Sequence, residues 1–280
     1  MTVVRNRLAL AALGVLALLV IAAVFSPLLA PDDPAEQQLL ARLTPPAWEG
    51  GGSLAHPLGT DQLGRDVLSR VLHGGQVSLT VGVLAVVVSG LIGIVAGAAA
   101  GYYGRWVDAV VSRLLEAQMS LPLLMMLLLV VALFGPSVTV ITCVIAIAQW
   151  PEVARLTRSL VLVEREKPYV AAAQVLGLPR IAILARHVIP NIVRQASLVV
   201  LLLLAQAVLL ESALSYLGAG PQRPFATWGR IISDGQDYIT TSWWLVTLPG
   251  LVIVLLVVGV NLLGDGLRDR TRRRTTEGSR

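Results

Sequence analysis

The chain has 280 residues, 55% hydrophobic and only 14% charged, with 22 Lys+Arg against 17 Asp+Glu for a formal charge of +5. A soluble domain usually carries about a quarter charged residues, so this balance excludes an ordinary soluble globular protein and points to a polytopic membrane protein. The single cysteine, Cys143, lies in an apolar run, has no partner for a disulfide, and reads as a small buried hydrophobe.

Six spans can be drawn in chain order: Leu8 to Leu29, Val77 to Gly101, Val110 to Phe134, Val138 to Ala154, Ser197 to Leu217 and Trp244 to Leu263. Each is near the ~20 residues that a helix needs to cross the hydrocarbon core. The first follows Arg5 and Arg7 as a signal peptide would. Its apolar run is longer than an h-region and no small-x-small site follows, so it reads as a retained anchor. A segment rich in Pro and Gly comes next, up to Gly52, and is expected to be loop. The following stretch, His56 to Leu79, predicts a short amphipathic helix over Asp66 to Leu72 at the membrane surface. Gly74-Gly75 then turns the chain into the second span.

Gly93, Gly97 and Gly101 stand four apart in that second span and make one smooth face for close helix packing. The pattern fits a moving bundle and a static one equally. Pro122 in the third span and Pro151 in the fourth predict kinks whose freed carbonyls find other partners. Pro151 and Glu152 interrupt the fourth span. With the N-terminus inside, 17 of the 22 basic residues fall on cytoplasmic pieces, and 7 of these lie in residues 151–194. This positive-inside bias places both termini in the cytoplasm. The basic tail (Arg268, Arg270, Arg272, Arg273, Arg274) reads as an anchor to anionic headgroups rather than a nucleic-acid arm.

The charged stretch between the fourth and fifth spans, EREKPYVAAAQVLGLPRIAILARHVIPNIVR from Glu164 to Arg194, holds the only lysine, Lys167. Pro168 suits the first position of a helix, and Tyr169 to Leu176 reads as two helical turns with Ala171, Ala172 and Ala173 as a slim centre. Gly177 is a natural stop, followed by Leu178 and Pro179. A second helix over Ile181 to Ile189 carries Arg186 and His187, and Pro190 ends or bends it. Such a stretch suits either a partner's groove or the membrane surface.

This stretch resembles the EAA loop of binding-protein-dependent ABC importer permeases: three alanine-type positions, three residues, Gly177, then His187-Val188-Ile189-Pro190 at the required distance. Ala171 stands where the family has Glu, and His187 where it has Ile. The resemblance extends to His56-Pro57-Leu58-Gly59-Thr60-Asp61, Gly64-Arg65-Asp66, Ser69-Arg70, the run Glu211 to Gly218, Trp228-Gly229 and the run Asn261 to Asp269. These look like signatures of the dipeptide/oligopeptide/nickel permease group, and of its C-type subunit in particular. Gln76 replaces a usual Arg.

The resemblance implies an all-α membrane protein with six transmembrane helices and the type I ABC importer architecture. Its parts are 1–30 (first span), 31–76 (extracytoplasmic segment), 77–265 (permease core, with the coupling loop at about 164–194) and 266–280 (cytoplasmic tail). It implies a multi-pass protein of the bacterial inner membrane. The expected partners are a sister permease, two ATPase subunits that hold ATP and Mg, an extracytoplasmic solute-binding protein, the lipid bilayer and a peptide substrate, with no nucleic acid. Tyr169, Ala171, Ala172, Ala173, Gly177, Leu178, Arg186, His187 and Pro190 would form the ATPase-docking loop. Nickel, glutathione or an opine are alternative cargoes, and an ion-coupled secondary transporter is the alternative of another class.

No phosphate-binding loop is present, because Lys167 follows Glu166 rather than a glycine, and H-E-x-x-H and G-x-S-x-G are also missing. Nothing in the sequence marks a metal site around His56 or His187, so no catalytic residue, metal or cofactor is expected in this chain. Glu211 is the clearest intramembrane charge. With Ser215 and Tyr216 it is either a wall of the translocation path or a paired carboxylate fixing the bundle's outer end. The loop from Gly218 to Trp243 holds Arg223, Trp228, Arg230, Asp234 and Asp237, candidates for contact with the binding protein. Trp243 and Trp244 read as an aromatic belt.

Overall fold

The computed structural model describes residues 2–222 and 225–277, with side chains for 8–222 and 225–267. Arg223 and the tail arginines fall outside the described side chains. Helix α1 (Thr2–Val24) is followed by the single turn α2 (Ser26–Leu29), an irregular segment, and the long helix α3 (Val67–Tyr103). Then come α4 (Arg105–Met119), α5 (Leu123–Phe134) and α6 (Val138–Glu164). The short α7 (Pro168–Val175) and α8 (Arg180–Ile183) lead through a π turn, Leu184–Val188, into α9 (Ile189–Tyr216). Helices α10 (Trp228–Gly235) and α11 (Trp244–Glu277) complete the chain.

Four helical stretches are long and apolar enough to cross a membrane: Val67–Tyr103, Val138–Glu164, Arg180–Tyr216 and Trp244–Leu267. The expected third span is instead broken. Its halves, α4 and α5, meet at 89° around Pro122, so they make a fifth span only if counted together. The apolar stretch Leu8–Val24 is the part of the 23-residue helix α1 with described side chains, so the first span drawn from sequence is not overturned. Among the described residues, length and composition pick out four spans, or five with the bent pair counted as one.

Helix α3 is the axis of the bundle, packed on α6, α9 and α1. The Gly93, Gly97, Gly101 face lies against α6 so closely that a Cβ on Gly97 would stand 2.3 Å from the Ala154 carbonyl oxygen. One on Gly93 would stand 2.5 Å from Val153 Cβ. Asp66 caps α3, its carboxylate accepting from the Ser69 N–H at 2.7 Å. The surface helix expected over 66–72 is thus the first part of α3 itself. Gly74 and Gly75 do not turn the chain; they let Thr227 and Trp228 approach, and a Cβ on Gly75 would lie 2.9 Å from the Trp228 ring.

The prolines behave differently from one another. Pro151 does not interrupt α6, which runs through it to Glu164. The carbonyl it frees, on Ile147, accepts from Gln118 Nε2 at 2.6 Å, and Ala148 accepts from the same nitrogen at 3.3 Å. Gln118 Oε1 in turn accepts from Trp150 Nε1 at 2.8 Å. A side chain from the end of α4 therefore satisfies the backbone groups that proline leaves bare, as an apolar surround requires. Pro190 does not end its helix either. The π turn before it, with the Ile189 N–H donating to the Leu184 carbonyl, shifts the ladder so that 180–216 remains one helical rod. Cys143 is exposed on α6 rather than buried, because that face has no neighbouring helix within the described chain.

Candidate functional site: the elbow and the ion-pair knot

The elbow from Glu164 to Arg194 is built around α7. Pro168 opens the helix, and Gly177 closes it at φ +75°. Leu178 N–H donates to the Ala173 carbonyl and Gly177 N–H to the Gln174 carbonyl, a Schellman closure that only a residue at ease in the left-handed region accepts readily. Val170 and Ala173 are buried with Ile183, Leu184, Val188 and Ile192 against Ala98 and Val161. The opposite face is bare: Val175 is 88% exposed, Leu176 79% and Ile181 69%, with Leu178, Ala171 and Ala172 also exposed.

Of the residues expected to dock a partner, Ala171, Ala172, Gly177, Leu178, Arg186 and Pro190 are exposed. Ala173 faces inward, and His187 and Tyr169 are half-buried. The Tyr169 hydroxyl donates to Glu164 Oε1 at 2.8 Å and accepts from Asn191 Nδ2 at 3.0 Å. Asn191 Nδ2 also donates to the His187 carbonyl at 2.8 Å. Lys167 Nζ holds the other Glu164 oxygen at 2.8 Å. Burial and the neighbouring Glu164 carboxylate push the Tyr169 phenol above its ordinary pKa, so it remains a donor. Sequence reasoning missed Glu164 and Asn191, since each flanks the loop rather than lying in its motif.

The ion-pair knot contrasts in chemistry. Asp61, fully buried, accepts from Arg65 Nε at 2.7 Å and from Arg70 Nη1. Arg65 and Arg70 also reach Asp234 on α10, at 3.2 and 2.8 Å, and Arg230 Nε meets its second oxygen at 3.3 Å. Burial pushes the Asp234 carboxyl up, but Arg70, Arg65 and Arg230 outweigh it and hold the group below the usual carboxylate range. A cavity of about 280 Å³ opens beside this knot, lined by Arg65, Arg70, Arg230, Asp234, Phe225 and Pro34.

Several residues expected on a contact surface are packing residues instead. Trp228 is 2% exposed, and its Nε1 donates to the Val71 carbonyl at 2.9 Å. Trp244 is buried, donating to the Thr60 carbonyl at 3.2 Å, so it belongs to the core and not to a belt. Trp243 is partly exposed and donates to Glu49. Asp234 is committed to the knot, which leaves Asp237 exposed and Arg230 half-exposed. Glu211 is fully buried and accepts from Ser78 and Ser215 hydroxyls at 2.7 and 2.6 Å, so it and Ser215 seal the bundle rather than line an opening within this chain. Tyr216 remains exposed and donates to Gln236. His56 Nδ1 stands 3.2 Å from Asp66 Oδ1 and 3.5 Å from Asp32 Oδ2. These three have donor atoms grouped as a cation would need, and the hydrogen bond to the capping Asp66 accounts for the contact without one.

The comparisons with known proteins meet this geometry. Residues 93–277 match the family described as binding-protein-dependent transport system inner membrane component, and residues 3–46 match the N-terminal TM domain of oligopeptide transport permease C. The chain belongs to this permease family of bacterial ABC importers. The permease is 40% identical to the di/tripeptide transport system permease protein DppC of Pseudomonas aeruginosa (strain UCBPP-PA14), over 95% of this chain and 88% of the relative. It is 42% identical to the dipeptide transport system permease protein DppC of Escherichia coli (strain K12), over the same shares. In fold it is similar to the inward-facing MetNI methionine ABC transporter, with a TM-score of 0.55 at 16% identity over 71% of this chain and 95% of that one. An amino acid ABC transporter crystallised with histidines gives a TM-score of 0.53 at 22% identity, over 73% and 94%. It is thus a multi-pass membrane permease, a transport component.

Proposed function

We propose that this permease is one half of a membrane pore for di- and tripeptides. A sister permease would complete the pore, two ATPase subunits would drive it from the cytoplasm, and a solute-binding protein would feed it from outside, with both termini of the chain cytoplasmic. The peptide cargo rests on the di/tripeptide and dipeptide permeases that are 40% and 42% identical over nearly the whole chain. ATP closure of the ATPases would bias a two-state bundle between inward and outward openings.

The observation that carries the docking role is the exposed apolar tip of the elbow. Val175 and Leu176, at the capped end of α7, and Ile181, on α8, are exposed, while Val170, Ala173 and Ile183 on the same two helices are packed. Apolar clusters of this kind mark interaction sites, and a helix lying in a partner's groove would cover one. The test is Leu176→Ser and Ile181→Ser, alone and together, followed by co-purification with the ATPase subunits. The double change should remove most of the bound ATPase; full retention would argue that the subunits dock elsewhere.

A further inference from the structure

Helix α7 has eight residues, too few to hold helical form without tertiary support. Two kinds of contact hold it to the bundle. Val170 and Ala173 make apolar contacts, which resist separation but are non-directional. The Tyr169 hydroxyl makes directional ones, to Glu164 at the end of α6 and to Asn191 at the start of α9. Among the described residues no other α7 side chain hydrogen-bonds to either helix. The helix also carries no acid of its own, since Ala171 occupies the position where the family pattern has Glu.

We propose that Tyr169 is the positioning residue that makes α6, α7 and α9 move as one body, so that a push on the docking helix reaches both rods. The geometry favours this. Lys167 pins the Glu164 carboxylate on its far oxygen, leaving the near one aimed at the phenol. Asn191 grips the phenol and the His187 carbonyl together, and that carbonyl lies in the π turn where the regular ladder is interrupted. The hydroxyl therefore braces the one weakened turn of the 180–216 rod. Tyr169 is half-buried and bonded to Glu164 and Asn191, and it is not among the exposed apolar side chains of the tip that would meet an ATPase. This inference rests on the docking reading above.

The test uses the complete transporter in proteoliposomes, with its own ATPases, sister permease and solute-binding protein. Tyr169→Phe removes the hydroxyl and keeps the ring. ATPase co-purification should be retained, while the increment in ATP turnover caused by the solute-binding protein falls about tenfold, the scale for losing a hydrogen bond to a charged acceptor. Asn191→Ala should lower the same increment, and the double variant should lose less than the two single losses combined, as expected for groups that share a bond. A normal increment in Tyr169→Phe, or additive losses in the double variant, would overturn the proposal. Loss of co-purification in Tyr169→Phe would also overturn it, by making the hydroxyl a docking contact. Full retention of ATPase in the Leu176 and Ile181 double variant would instead sink the docking reading.

Discussion

The two ends of the bundle use opposite means to fix a loop. At the end that holds the ion-pair knot, Asp61, Arg65 and Arg70 are buried, Asp234 is half-buried beside the cavity, and all four are bonded together, while Trp228 and Trp244 are buried with their N–H groups on backbone carbonyls. At the elbow a hydroxyl does the tying, and the apolar tip stays uncovered. Burying charge is unfavourable unless every partner is present, so a knot of this type specifies one arrangement more than it adds stability. An exposed apolar tip is incomplete by itself. The comparison teaches that the knot finishes its packing within the chain, whereas the elbow leaves an apolar tip uncovered.

Substitutions can break or sharpen that contrast. Asp61→Asn should have the largest effect, because it leaves Arg65 and Arg70 facing too little negative charge in a buried site. A destabilisation of about 3–5 kcal/mol is expected, measured as thermal unfolding of the detergent-purified chain; a melt like that of the unaltered protein would mean that the knot is not a closed unit. Gly97→Ala follows, since its Cβ would press on the Ala154 carbonyl, with a loss of about 1–3 kcal/mol in the same melt. Gln118→Leu should remove about 1–2 kcal/mol by stripping the donor from the carbonyls beside Pro151. Acidification should act more gently, through Asp234. The Asp234 pKa is depressed on folding, so its contribution is complete above the usual carboxylate range and is lost as pH falls through its lowered value. Hydrogen exchange should then quicken in α10, and an unchanged rate there would contradict the part given to Asp234 in the knot. Leu176→Ser should change the chain's own melt least, within about 0.5 kcal/mol, while weakening ATPase association.

Much of the helical layout was legible because it rests on local pattern. Apolar runs located the long helices, and the spacing of the alanines, Gly177 and Pro190 located the elbow. Prolines were misleading because their consequence is settled at a distance. Pro122 breaks a span where the preceding Ser120 and Leu121 leave the helix, but Pro151 passes because Gln118, 33 positions earlier in the chain, lends a donor. Tryptophans were misleading for the same reason. Trp244 at a span's start resembles a belt residue, yet Thr60 lies waiting for its N–H. Asp61, Arg65 and Arg70 were visible as a signature, while the role of Asp234 required a contact made across more than 160 residues of sequence.

The glycine face of α3 has a mechanical consequence. Where two helices touch almost main chain to main chain, neither has side chains long enough to bend aside and let the other slip. Helices α3 and α6 are therefore a single plank, and any tilting within this subunit must swing them together. The limb formed by α4 and α5 joins that plank through Gln118, an arginine–aspartate clasp from Arg158 to Asp108, and Leu127 and Val131, which are buried in the core cluster that α3 and α6 share.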